Sequence, residues 1–198
     1  MDNALREYFI ETAGLTDDQF DLVKPFFAEK IIRKGECLLS IGEINKYVYF
    51  VIGGCLRTYT TDSRDKEYIL RFIATNEWLA EVGGYMQQEA SSVYIDAILD
   101  THVFAIHRSD YDTLSNIVPS LRAHFQSVMQ LNYLNTQKRL ALSLSADAKE
   151  RYLDFMKTQP ALINTLPISM IASYIGIVPE SLSRIRKQLT HRHSRLTA

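Results

Sequence analysis

The sequence predicts an α+β fold: an N-terminal antiparallel β-roll, one long helix, and a C-terminal helical domain carrying a helix-turn-helix. Three observations predict it. The apolar period changes twice, near Glu29 and near Ser109. The block between those points is rich in β-branched and aromatic residues and is broken by glycine turns. Near the end, "MIASYIGIVPESLSRIRKQL" places Ala172, Gly176 and Leu182 at the spacing of two helices crossing through a tight turn.

The first stretch, to about Pro25, reads as short helices. In "LTDDQFDLVKPFF", Thr16 with Gln19 three residues later has the spacing of a capping box. From Glu29 the segments "EKIIRKGECLLSIGEINKYVYFVIGGCLRTYTTD", "KEYILRFIATNEWLAEVGGYM", "SSVYIDAILD" and "THVFAIHRSD" are short apolar runs separated by Gly35, Gly42 and Gly53-Gly54. A turn every several residues argues for a compact antiparallel roll.

From Ser109 to Ser145 the pattern is helical. At roughly 100° per residue, Leu121, Phe125, Val128 and Asn132 fall on one narrow stripe, and Met129, Tyr133 and Leu140 on a second. A helix with two apolar faces needs two neighbours. One is the roll; the other is expected to be the same helix of a second copy. The first stripe is assigned to the dimer, with Asn132 as a polar residue setting register. The expected division is residues 1–118 for the helices and roll, 119–142 for the long dimerisation helix, and 143–198 for the C-terminal domain, with a hinge near Arg139–Ser145.

The C-terminal motif carries the chemistry. A small residue, Ala172, suits the helix crossing, and Gly176 suits a turn with positive φ. Pro179 opens the second helix, where a missing N–H costs nothing. Glu180 suits the positive end of the helix dipole. Leu182, Ile185 and Leu189 share one side of that helix. Glu180, Arg184 and Lys187, with Ser183 beside them, share the other. An arginine can pair with guanine O6 and N7, and a glutamate can accept from cytosine N4. The competing reading of the same face is an ordinary amphipathic helix in which Glu180 and Arg184 pair at i, i+4.

The chain's 198 residues carry a net charge of −1, yet residues 166–198 hold five Lys/Arg and one acid, a local +4 that leaves −5 elsewhere. That asymmetry suits a basic binding end. Two cysteines, Cys37 and Cys55, are too few for a disulfide framework or a four-thiolate cluster. The N-terminus has no apolar secretory region. The uncharged stretch 158–179 is interrupted by Pro160, Asn164 and Pro167, which argues against a membrane span. A cytoplasmic location is expected.

A roll, a long helix and a terminal helix-turn-helix together resemble the Crp/Fnr family of bacterial transcription regulators. "RKGECLLSIGE", "VYFVIGGCLRTY" and "NEWLAEVGGYM" are similar to the strands and turns of the family's cyclic-nucleotide-binding-like roll, and "IASYIGIVPESLSRIRKQL" to its DNA-reading motif. The resemblance implies a homodimer on a palindromic duplex and RNA polymerase as a further partner; the family's iron–sulfur branch needs a cysteine set that this chain lacks, and no cofactor is expected. It places Glu180 and Arg184 at base-contacting positions. Ser183, Lys187, Arg192 and Arg195 complete the expected DNA-binding set. Val178 stands where relatives often carry a capping Ser or Thr, a change worth about 1 kcal/mol. "THRHSRLTA" is short for the family's β-hairpin wing, so a reduced wing is expected.

For the effector pocket the resemblance points to Glu81, Ser91, Ser92 and Thr136. Relatives that bind cyclic nucleotides have a Gly-Glu pair followed by an Arg-Ser or Arg-Thr pair. Here Ala80 replaces the glycine and Ser91-Ser92 replaces the basic pair, so tight binding of cyclic AMP is not expected. Two rivals are weighed. A cupin-like metalloenzyme needs clustered ligands, but His102 and His107 have an odd separation that puts them on opposite strand faces. His191 and His193 read as part of a basic tail. A protein-binding sensor or scaffold is the other rival. No nucleophile–base pairing or phosphate-binding glycine loop supports an enzyme. The expected function is therefore an effector-responsive, sequence-specific DNA-binding regulator.

Overall fold

The computed structural model describes residues 2–81 and 83–196, with side chains placed throughout these except at 2, 85, 86, 112 and 191–196. Among them the strands are β1 (Phe27–Ile32), β2 (Cys37–Leu39), β3 (Tyr47–Gly53), β4 (Leu56–Thr61), β5 (Glu67–Ile73), β6 (Trp78–Leu79), β7 (Tyr94–Ala97) and β8 (Thr101–His107). They form two four-stranded sheets, ordered β1-β8-β3-β6 and β2-β7-β4-β5.

Strands β3 and β8 pair antiparallel, Val48 opposite Ile106, Phe50 opposite Phe104 and Val51 opposite Val103. Successive side chains point to opposite faces. Val48, Phe50, Phe104 and Ile106 therefore join one core, and Tyr49, Val51, Val103 and Ala105 another that includes Leu56, Ile73 and Ile95 of the second sheet. Both faces of the first sheet are covered, which is why "VYFV" and "VFAI" read as unbroken apolar runs instead of alternating.

The first core is closed by helices α1 (Asp2–Ala13), α2 (Asp17–Val23), α3 (Arg108–Ile117) and the start of α4 (Pro119–Ser145), through Leu5, Phe9, Phe20, Leu114, Leu121 and Phe125. The capping box at α2 forms: Gln19 N donates to Thr16 Oγ1 at 3.3 Å, and Thr16 N to Gln19 Oε1 at 3.0 Å.

The chain divides into two compact units, residues 1–60 with 70–132, and residues 61–69 with 133–198. The division falls inside α4, which stays helical to Ser145, past the boundary expected at 142; the break in helix comes at Ala146–Asp147, before α5 (Ala148–Thr158). The tip of the β4–β5 hairpin belongs to the second unit, a feature absent from the expected division.

The second unit also holds α6 (Ile168–Ile175) and α7 (Pro179–Leu196). Its core is Tyr152, Phe155, Leu162, Leu166, Ile171, Ala172, Ile175 and Leu182, all buried. Helix α5 opens with a second capping box, Asp147 with Glu150. The segment expected to be a reduced wing is instead helix, continuing α7 to Leu196; no strand follows α7 among the described residues.

Candidate nucleic-acid interface and the polar cluster of the roll

Helices α6 and α7 meet at Gly176, which takes φ 73° and ψ 41°, a left-handed conformation that a side chain would resist. The turn closes as a helix C-cap, with Ile177 N donating to Ala172 O at 2.9 Å. Ala172 and Leu182 are both fully buried at the crossing. Ser181 N and Leu182 N donate to Val178 O, but the Val178 side chain has no oxygen to cap the helix and is exposed.

This packing turns one face of α7 outward. Glu180, Arg184 and Lys187 are exposed, and Ser183 is half-buried beside them. Arg184 Nη2 donates to Ser181 Oγ at 3.4 Å, and among the described residues no ion pair joins Glu180 to Arg184. The i, i+4 pairing is therefore not made, and both charged groups present to solvent. Arg186 is withdrawn: its Nε donates to Tyr152 Oη at 2.9 Å and its Nη2 to Ile163 O at 3.2 Å, tying α7 to α5. Arg192 and Arg195, together with His191 and His193, lie where side chains fall outside the described residues.

The stripe expected in the dimer seam turns inward instead. Leu121 and Phe125 are buried in the chain's own first core, and Val128 packs against that core. Asn132 is half-buried. The stripe left outward is the second one, Met129, Tyr133 and Leu140, extended by Leu144 at 82% exposure, with Thr136 among them.

In the roll, Glu81 is turned onto its own loop, its carboxylate accepting from Gly83 N at 3.1 Å and Gly84 N at 2.7 Å. Ser91 is buried, and its hydroxyl accepts from Val93 N at 3.1 Å and donates to Val93 O at 2.9 Å. Both border the turn 42–45: Ser91 N donates to Glu43 O, and Gly84 lies so close to Asn45 N that an added Cβ would come within 2.6 Å. Ser92 is exposed, and Thr136 lies on α4 in the other compact unit.

A polar cluster in the roll was not foreseen. Arg57 on β4 faces Asp96 on β7, with Nε–Oδ1 at 2.7 Å and Nη2–Oδ2 at 2.9 Å. The guanidinium stacks on Tyr59 at 4.1 Å from the ring centroid, and Tyr59 stacks on Tyr94 at 5.1 Å. Registers Arg57↔Asp96 and Tyr59↔Tyr94 place all four on one face. The available signal was the i, i+2 spacing of Arg57 with Tyr59 and of Tyr94 with Asp96. Arg71 is engaged too, donating to Trp78 O at 3.1 Å with Glu77 3.8 Å away. His102 lies 3.3 Å from Glu29, whereas His107 caps α3 by accepting from Ser109 N. Among the described residues no group of three or more His, Cys, Asp or Glu is placed to hold a metal, and no helix is long and apolar enough to cross a membrane.

Among the described residues, an antiparallel roll is followed along the chain by a long helix and a helix-turn-helix with an outward polar face. Comparison with known proteins agrees. A family model described as "Cyclic nucleotide-binding domain" matches residues 29–116. The transcriptional activator protein FnrA of Stutzerimonas stutzeri is 28% identical over 165 residues, covering 78% of this chain and 67% of the relative. Among solved structures, the c-di-GMP responsive global regulator CLP of Xanthomonas campestris shares the fold with a TM-score of 0.70 at 14% identity, over 90% of this chain and 93% of that one. The catabolite activator protein of Thermus thermophilus does so with a TM-score of 0.58 at 20% identity, over 94% and 87%. The chain is thus similar to transcription regulators of the Crp/Fnr type.

Proposed function

We propose that this protein is a homodimeric, sequence-specific DNA-binding transcription regulator in which α7 reads the major groove. The observation that carries the reading is the outward line of Glu180, Arg184 and Lys187, held in place by the buried Ala172–Leu182 crossing and by Arg186 on the opposite side. Arg184 and Glu180 read base edges; Lys187, with Arg192 and Arg195, neutralises phosphate. The exposed stripe Met129, Tyr133, Leu140 and Leu144 pairs α4 with its copy, so that two reading helices face a palindromic operator. RNA polymerase is the further partner this reading entails, and the setting is the cytoplasm.

The roll senses an effector other than cyclic AMP. Glu81 and Ser91 are already committed to their own backbone, and Arg57 and Arg71 lie against the acids Asp96 and Glu77. A signal there acts by shifting the population of α4 pairings, which repositions the reading helices.

Fluorescence anisotropy with the protein's own operator tests the reading. Arg184→Ala costs about 1–3 kcal/mol and relaxes sequence preference at one position. Lys187→Ala weakens all duplexes alike and lowers the slope of log K against log salt by roughly one. Uniform weakening by both variants overturns the assignment of roles.

A further inference from the structure

Strand β5 lies at the end of its sheet, and an edge strand leaves outward N–H and C=O groups to be satisfied. Within the second compact unit, three such groups in a row are taken by two side chains. Ser173 on α6 donates its hydroxyl to Glu67 O at 3.1 Å and accepts from Ile69 N at 3.2 Å. Arg139 on α4 donates from Nη2 to Ile69 O at 3.0 Å and to Tyr174 O at 2.9 Å. Its guanidinium also lies over the Tyr174 ring at 4.1 Å. Ile69 is buried beneath this arrangement.

The clamp joins three elements. It grips α6 at residues 173–174, just before the Gly176 turn and next to Ala172, on which α7 packs. It grips α4 one residue before Leu140, in the exposed apolar stripe. The β5 edge is the third element, and its backbone groups fix the distance between the other two. None of these contacts covers Glu180, Arg184 or Lys187, which remain exposed. The arrangement therefore constrains where the reading helix sits relative to α4 without blocking it.

We propose that Ser173 and Arg139 are positioning residues that set the separation and orientation of the two reading helices in a dimer, and so make the protein selective for one half-site spacing. The proposal rests on the DNA-binding reading above. Two linked binding events reinforce one another only when geometry lets both engage, and the advantage is lost when the linkage loosens. A chain whose reading unit is clamped to α4 favours one spacing; an unclamped chain accepts several and gains less from the second half-site.

The test uses the full-length protein and four duplexes: the operator recovered for the wild type, the same operator with one base pair added or removed between half-sites, and a single half-site. Wild type discriminates among the spacings. Ser173→Ala and Arg139→Gln lose roughly tenfold or more on the correct operator and bind the three spacings nearly equally. Their affinity for the single half-site stays unchanged, and Ser173→Thr, which keeps the hydroxyl, restores the preference. Amide exchange at Ile69 accelerates in Ser173→Ala without any DNA present. The inference is overturned if Ser173→Ala keeps the wild-type spacing preference, or if it weakens the single half-site in parallel with the operator. A wild type that binds no duplex overturns the DNA-binding reading and this inference with it; spacing preference unchanged in the variants overturns this inference alone.

Discussion

Replacing Arg57 with methionine removes the cation from a bidentate pair with Asp96 whose side chains are only 8% and 13% exposed. Burying a carboxylate without its partner is far costlier than losing a surface pair, and breaking such a pair from one side costs about 3–5 kcal/mol. The lost stacking of the guanidinium on Tyr59 adds about 0.5–1 kcal/mol. The expected loss for Arg57→Met is therefore about 3.5–6 kcal/mol in the first unit. The double variant Arg57→Met/Asp96→Leu leaves no unpaired charge and recovers most of that loss, because two apolar groups of similar size are often as stable as the ion pair they replace. Trp78 is the chain's only tryptophan, is 3% exposed, and lies in the same unit, so its fluorescence in a urea titration reports this transition directly. A single-variant cost under about 1 kcal/mol, the scale of an exposed pair, would refute the reasoning. So would a double variant no more stable than the single one.

Three other outcomes are expected. Leu140→Glu puts a charge on the exposed stripe of α4 and raises the dimer dissociation constant on the order of tenfold or more in sedimentation equilibrium, with the monomer fold intact; an unchanged constant contradicts the pairing. His124 is buried against Phe9 and Phe125 with Tyr8 Oη 3.2 Å from its Nε2, and burial lowers its pKa from 6.5. The neutral form is thus favoured in the folded state, so its stabilising effect is complete above pH 6.5 and is lost as pH falls towards the lowered value. His124→Gln flattens that part of the stability profile by up to about 1.4 kcal/mol per pH unit; identical profiles contradict this. Calorimetry with cyclic AMP and cyclic GMP gives no low-micromolar binding, since a missing charge-assisted contact to the phosphate costs about 2–5 kcal/mol, enough to turn micromolar affinity into millimolar.

Periodicity was informative wherever burial followed a single rule. The roll was legible from its turns and β-rich runs, and the helix-turn-helix from Ala172, Gly176 and Leu182, because each of those positions meets a steric demand that few residues satisfy. The long helix was legible as two-faced, but the pattern does not say which stripe meets the chain's own core; Leu121 and Phe125 do, and Met129, Tyr133 and Leu140 do not. The Arg57–Asp96 pair joins residues 39 apart through strand register, which sequence spacing does not reveal. The Ser173–Arg139 clamp is harder still, since its partners on β5 are backbone groups that any residue could supply. The shortness of the last segment suggests a reduced wing; the structure makes it a continuation of α7, with no turn residue between Leu189 and Leu196 to stop the helix.

The most direct test of the central claim is a selection with purified full-length protein from fragmented genomic DNA of its source, followed by sequencing of what is bound. The account predicts recovery of a two-fold symmetric sequence whose half-site centres lie about one helical turn, on the order of 10 base pairs, apart, with loss of preference at one position per half-site for Arg184→Ala. Recovery of no shared sequence, or of the same sequence with equal preference by wild type and Arg184→Ala, would contradict it.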